Sequence, residues 1–264
     1  MPAEIVEIHA DKIILGKRES FMAQKITSNI VLLAALLVFC GLQVKAAVCL
    51  CEIEPKTGAG QGPGIGTDQA FDLKVKTFLN NHIYSWQDMN VPEADGQALY
   101  DLILKNQYKK ALEIGTSTGH SAIWMAWALS KTGGKLITVE IDEGRYRQAL
   151  ANFKEAGLSA YIDARLADAH RLVNDLAGPF DLVFIDADKD WYVNYARAVI
   201  PKLEIGGCLA AHNVHAPQPG SRGFRRGAMG TGEYYEFITS QPGFDTSMHP
   251  ASRSGLSISY KKKG

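Results

Sequence analysis

The chain has 264 residues with 28 basic and 28 acidic side chains and no formal net charge. That length allows one large domain, or a medium domain with an appendage, whose core needs no disulfides. The charge balance gives no electrostatic footprint for nucleic acid, and the basic cluster Arg222, Arg225 and Arg226 is too short to supply one, so no nucleic-acid partner is expected.

Residues 30–42, IVLLAALLVFCGL, are continuously apolar, follow Lys25 and precede QVKAAVCLC, where Val44, Lys45 and Ala46 form a loose small-residue cleavage site. The pattern is that of a signal peptide counted from Met22. The run is shorter than the roughly 20 residues that cross a bilayer comfortably, and extending it to Cys51 passes over Lys45. KTGAGQGPGIGTD (56–68) separates it from the rest, so residues 1–68 read as a targeting or membrane-tethering segment plus linker, and 69–264 as the functional domain. Cys40, Cys49 and Cys51 cluster here and Cys208 lies alone, a spacing that yields neither a disulfide framework nor a metal-ligand set.

From Phe71 onward helical and strand patterns alternate. Short apolar runs at 111–114, 135–141, 160–166, 180–186 and 206–211 read as strands. Among the helical patterns between them, DEGRYRQALANFKEAG has Asp142 as N-cap, Tyr146, Leu150 and Phe153 on one face and Gly157 as its end. This βαβ rhythm predicts an α/β fold, a parallel sheet with helices on both faces. A Gly-rich loop, a helix over 232–240 and two runs, 244–249 and 255–261, follow as a hairpin-like finish at one sheet edge.

The first strand ends in LEIGTSTGHS. His120 stands where a phosphate-gripping loop needs Lys, and Ser117 where a dinucleotide fingerprint needs its middle glycine. What remains is an acid, Glu113, that pairs with an ammonium group, and two glycines that admit a carboxylate-bearing chain, as in the methionine part of S-adenosylmethionine; a structural turn with glycines for close packing explains the loop equally well. The second strand ends in Glu140, about 25 residues beyond Gly115, where an acid grips ribose hydroxyls or caps a helix. The third ends in Asp168 and Ala169, placed to face a base. The fourth, FDLVFIDADKDWY, ends in Asp186 and Lys189, with Asp188 and Asp190 read as solvent or cap residues. The fifth brings His212 and Asn213 to the same rim, where a carboxylate, an amide oxygen and a third donor make a workable set for one divalent cation.

With MNVPEADGQAL, LEIGTSTGHS, VEID, FDLVFIDADKDWY, GGCLAAHNV and HPASRSGLSISYKK in this order over nearly two hundred residues, the chain from about residue 71 resembles the cation-dependent O-methyltransferases, the group of catechol and caffeoyl-coenzyme A O-methyltransferases. The resemblance implies the Rossmann-like class I methyltransferase fold, a seven-stranded, mostly parallel sheet with an antiparallel last strand. It implies S-adenosylmethionine as cofactor against Val91, Glu113, Gly115, Thr116, Ser121, Glu140, Asp168, Ala169 and Asp186, metal ligands at Asp186 and Asn213 with His212 between them in sequence, and Lys189 beside the acceptor hydroxyl of a small phenolic or catechol-like molecule.

One match fails: the family usually has Asp where this chain has His212. Loss of that negative charge weakens the site for Mg²⁺ and favours a softer ion such as Zn²⁺, Mn²⁺ or Fe²⁺. Two alternatives stay open: His212 is a general base without metal, or a rim residue in a site that has lost its cation. Lys189 serves as acceptor of the hydroxyl proton if neighbouring positive charge and desolvation lower its pKa. The competing reading is a noncatalytic binding protein on the same fold; a dinucleotide oxidoreductase ranks below it. Trp86, Trp191 and Tyr192 either line an aromatic pocket or belong to core and rim. A homodimer is among the expected partners. Because S-adenosylmethionine is ordinarily cytosolic, a membrane tether through residues 30–42 with the catalytic domain facing the cytosol is favoured over export or a cytoplasmic protein with a misassigned start.

Overall fold

The computed structural model describes residues 65–86, 89–216 and 231–263, with side chains from residue 68. The readings placed on the apolar stretch 30–42, on Cys40, Cys49 and Cys51, on the Gly/Pro-rich linker and on the arginines at 222, 225 and 226 lie outside the described residues. Among the described residues no helix is long and apolar enough to cross a membrane.

Two helices, α1 (Ile65–Asn81) and α2 (Glu93–Asn106), precede an alternation of β1 (Lys110–Ile114), α3 (His120–Thr132), β2 (Lys135–Glu140), α4 (Glu143–Ala156), β3 (Ile162–Leu166), α5 (Ala169–Asp175), β4 (Phe180–Ile185), α6 (Tyr192–Val199) and β5 (Leu203–Ala211); α7 (Thr231–Thr239), β6 (Phe244–Met248) and β7 (Ser257–Lys261) complete the domain. The strands form one sheet in the order β3-β2-β1-β4-β5-β7-β6. β7 runs antiparallel to both neighbours, and the pairs among β1 to β5 are parallel. The expected mostly parallel, seven-stranded sheet is therefore present, with the last strand inserted inside the edge that β6 forms.

Both faces of the sheet are covered, which is why the central strands read as unbroken apolar runs rather than as alternations. In β4, Leu182 and Phe184 join a core with Leu99, Ile123 and Phe153 from the helices of one face. Val183 and Ile185 point the other way, into a core with Tyr192, Tyr195 and Tyr234. Helix α3 is buried along nearly its whole length, so it carries no polar stripe. In α4, Asp142 caps by accepting from the Arg145 N–H (2.8 Å) and Gly157 ends the helix at φ 81°, as expected. Its buried stripe is Ala149, Asn152, Phe153 and Ala156, and Leu150 is exposed, because a stripe spaced three and four residues apart turns that position outward. β3 is shorter than its apolar run, whose start is a 3₁₀ turn at Ser159–Tyr161, and β5 begins earlier, with a register shift against β4 between Phe180 and Leu182.

Helix α2 approaches α3 through Gly96, where an added Cβ would lie 2.3 Å from Trp124 Cδ1. Gly96→Ala is therefore expected to destabilise the domain by about 1–3 kcal/mol, since the new methyl group and the buried Trp124 indole cannot both keep their places. Urea unfolding of the variant checks this, and an unchanged midpoint would contradict it.

Candidate active site

The parallel ladder continues one residue beyond β4 and β5. The Asp186 N–H donates to the Ile114 carbonyl at 2.9 Å, and the His212 N–H to the Ile185 carbonyl at 3.0 Å. Asp186 and His212 thus stand on neighbouring strand tips, at the carboxyl ends where open α/β sheets bind ligands. Gly115 permits the closeness: at φ 98°, a Cβ there would lie 2.3 Å from the Asp186 carbonyl oxygen.

Five polar side chains are linked at this point. His212 Nε2 lies 2.9 Å from Asp95 Oδ2, and its Nδ1 lies 3.3 Å from Asp186 Oδ2. Lys189 Nζ donates to Asp186 Oδ1 at 2.6 Å and to the Tyr192 hydroxyl at 2.8 Å; that hydroxyl donates to the His212 carbonyl at 3.1 Å, closing a ring. Asp95 is 1 % exposed and its other oxygen has no hydrogen-bond partner among the described residues, where His212 is what compensates burial of that carboxylate. Burial works against the Asp186 charge, but His212 and then Lys189 outweigh it and hold the carboxyl below its ordinary 3.8. Burial likewise disfavours a charged His212, yet Asp186 and Asp95 raise it above its ordinary 6.5.

A cavity of about 780 Å³ opens beside this ring and runs along the strand tips past Ser117, Glu140, Asp168 and Ala169. Glu140 accepts the Ser117 N–H on one oxygen (2.7 Å) and the Ile141 and Asp142 N–H groups on the other (3.0 and 2.9 Å). It therefore both caps its own turn and faces the cavity. Asp168 caps α5 through the His170 N–H (2.9 Å) and also faces the cavity. Ser117, held at φ 49°, lines the same wall, with its hydroxyl buried and without a hydrogen-bond partner among the described residues.

A sequence model of the family described as O-methyltransferase matches residues 68–216, more than half of the chain. The chain belongs to the O-methyltransferase family. It is 36% identical over 151 residues to a catechol O-methyltransferase of Niastella koreensis, covering 52% of this chain and 68% of that protein. It is 32% identical over 137 residues to caffeoyl-CoA O-methyltransferase 1 of Arabidopsis thaliana, covering 50% and 52%. Against the latter, then, the chain spans about half of the relative's length. Among solved structures, cofactor-bound Rv0187 from MTB superposes with a TM-score of 0.61 at 25% identity, covering 77% of this chain and 100% of that one.

Within this O-methyltransferase domain the cavity collects Gly115, Glu140, Asp168, Ala169, Asp186 and Lys189, with His212 and Asn213 on the same wall. Four other expected cofactor contacts, Val91, Glu113, Thr116 and Ser121, are buried behind that wall. Glu113 does not present its carboxylate to an ammonium group: Ser121 donates to one oxygen and Thr138 to the other, each at 2.5 Å. The cause is register, because β1 pairs Glu113 with Thr138 on β2 and turns both side chains into the protein. Gly119 is a packing glycine, since a Cβ there would meet the Phe153 ring at 2.5 Å.

Full burial pushes the Glu113 carboxyl up to about 8, against the two hydroxyl donors. A carboxyl raised in the folded state contributes stability that is complete below its ordinary 4.5 and declines as pH rises through about 8. Glu113→Gln should flatten this decline, so its melting temperature gains on the wild type between those limits; parallel pH profiles from thermal melts would rule the assignment out.

Lys189 has a carboxylate beside it, not the positive charge that its expected role as a neutral base requires. His212 cannot act as a base toward the cavity, since both ring nitrogens face carboxylate oxygens. Asp188 is no mere cap: it accepts from the Tyr195 hydroxyl (2.6 Å), lies 3.0 Å from His170 Nε2 and lines the cavity, whereas Asp190 is exposed as expected. The three aromatics are core and rim: Trp86 stacks on His120 at 4.5 Å, Trp191 on His170 at 3.6 Å, and Tyr192 is fully buried. Asp95, His170 and Tyr195 are the site residues that sequence reasoning missed. Asp95 lies inside the quoted MNVPEADGQAL, which was the available signal.

The donor set does not fit a divalent cation. Each oxygen of Asp186 faces a nitrogen of Lys189 or His212, and neither His212 nitrogen is left for a metal. Only the Asn213 amide remains of the expected three, and among the described residues no three acid, His or Cys side chains converge on one point. Divalent ions require more ligands than that.

Proposed function

We propose that this domain transfers a methyl group from S-adenosylmethionine to a hydroxyl of a small phenolic or catechol-like acceptor, with Lys189 holding the acceptor oxygen. The observation that carries this reading is the continuity of one cavity from the Glu140 and Asp168 carboxylates to the Lys189 amine. The first two suit ribose hydroxyls and a base. Bound there, S-adenosylmethionine supplies an electrophilic methyl group on a sulfonium centre.

Lys189 has three donors, of which Asp186 and Tyr192 take two. The third serves the acceptor. A positive charge beside a phenolic oxygen favours its ionised form, so the proton leaves to solvent and the phenolate is the nucleophile. Its lone pair forms the O–C bond while the S–C pair stays on sulfur. Asp186 keeps Lys189 in place, and the half-enclosed cavity fixes the approach.

The test couples calorimetry of S-adenosylmethionine with methyl-transfer assays on a panel of catechols and phenols of graded acidity. Binding together with product formation is the expected result. Binding without transfer to any acceptor would favour a noncatalytic binding protein, and absence of binding would overturn the reading.

A further inference from the structure

We infer that this chain works without a divalent cation: Asp95 and His212 hold Asp186, and through it Lys189, in the role that a metal would otherwise fill. The inference rests on the methyltransferase reading above and departs from the cation dependence that the family resemblance implies. Asp95 is then a positioning residue, since it touches neither cofactor nor acceptor but acts through His212.

Three observations carry it. Asp95 comes from α2, 117 residues before His212 in the chain, yet its Oδ2 lies 2.9 Å from Nε2 of that ring. The contact is sealed, with side-chain exposures of 1 % for Asp95 and 5 % for His212. The second His212 nitrogen faces Asp186 Oδ2 at 3.3 Å while Asp186 Oδ1 accepts from Lys189 at 2.6 Å, so the acid is gripped on both oxygens by the chain itself. The Tyr192 hydroxyl then ties Lys189 back to the His212 carbonyl, which fixes the amine from a second side.

A metal would have to undo this arrangement. Binding through His212 Nε2 would strand the Asp95 carboxylate, whose Oδ1 already lacks a partner among the described residues. Binding through Nδ1 or through Asp186 would set a cation against Lys189 or detach the ring from its acid. The relay leaves one task that a cation otherwise performs, holding the acceptor oxygen, and the third Lys189 donor supplies it.

The test uses the full chain, dialysed against chelator. Mn²⁺ is titrated in while its paramagnetic resonance is followed, and methyl transfer to a catechol is measured with and without chelator. The Mn²⁺ signal should remain that of the aqueous ion, and the rate should change by less than about twofold. Stoichiometrically bound Mn²⁺, or a loss of about tenfold on chelation that Mg²⁺, Mn²⁺ or Zn²⁺ restores, would overturn the inference. His212→Asp, which returns the acid before Asn213, should acquire Mn²⁺ binding. Asp95→Asn should lower kcat at least about tenfold with the KM for S-adenosylmethionine unchanged, and should remove a downfield ring N–H resonance of His212 from the proton spectrum. An unaltered kcat and resonance in that variant would refute the positioning role. If Asp95→Asn fails to fold, the Mn²⁺ titration and the wild-type resonance still decide. Aqueous Mn²⁺ together with no transfer to any acceptor would sink the methyltransferase reading while supporting a cation-free cluster.

Discussion

Lys189→Met is expected to lower kcat for methyl transfer by about 10²- to 10³-fold, because it removes the amine proposed to meet the developing charge on the acceptor oxygen. The substitution keeps most of the aliphatic stem while removing the amine, which lies 5.1 Å from the Tyr192 ring centroid. The KM for S-adenosylmethionine should stay within about twofold, since the cofactor end of the cavity is lined by other strand tips. Acceptors with more acidic hydroxyls should lose less, because they ionise without help. Steady-state kinetics across the phenol panel check both points; an equal loss for all acceptors, or none, would remove Lys189 from the proposed role.

Asp186→Asn should produce the larger change in stability. The carboxylate faces both Lys189 and His212 with a side-chain exposure of 11 %, and removing one partner of a buried ion pair costs about 3–5 kcal/mol. For a domain of this size that corresponds to a fall in Tm of roughly 6–20 °C. The effect should depend on pH in a definite sense. The Asp186 carboxyl is lowered in the folded state, so its contribution is present above its ordinary 3.8 and disappears as pH falls through the lowered value. His212 is raised, so its contribution is complete below its ordinary 6.5 and disappears as pH rises through the raised value. The gap in Tm between wild type and Asp186→Asn should therefore be widest between 3.8 and 6.5 and narrow on both sides. A gap independent of pH would mean that the interaction is not ionic.

The two variants separate chemistry from support. Lys189 stands at the cavity wall and should mainly affect turnover, whereas Asp186 meets both the Lys189 amine and the His212 ring and should affect both turnover and folding. Asp95, buried one step further away, transmits its effect only through the imidazole.

What the sequence determined by itself is local. Strand tips, helix caps and turn glycines follow from a few neighbouring residues, so the βαβ rhythm, the Asp142 and Gly157 caps and the approximate strands were legible from residue patterns, and the matched motifs gave the family. The positions of Glu140, Asp186 and His212 at the sheet's carboxyl end followed from the same rule, because a parallel strand delivers the residue after its last apolar position to that end, and Asp168 and Lys189 follow in the turns just beyond. Which way those side chains turn, and what they meet, was decided only by tertiary structure. Glu113 looked like a ligand contact until its pairing with Thr138 turned it inward. His212 looked like a metal ligand or a base until α2 brought Asp95 against it from a stretch 117 residues earlier. No local pattern encodes such a contact, since it depends on the packing of α2 against α3 through Gly96 and Trp124, which carries Asp95 to the ring of His212.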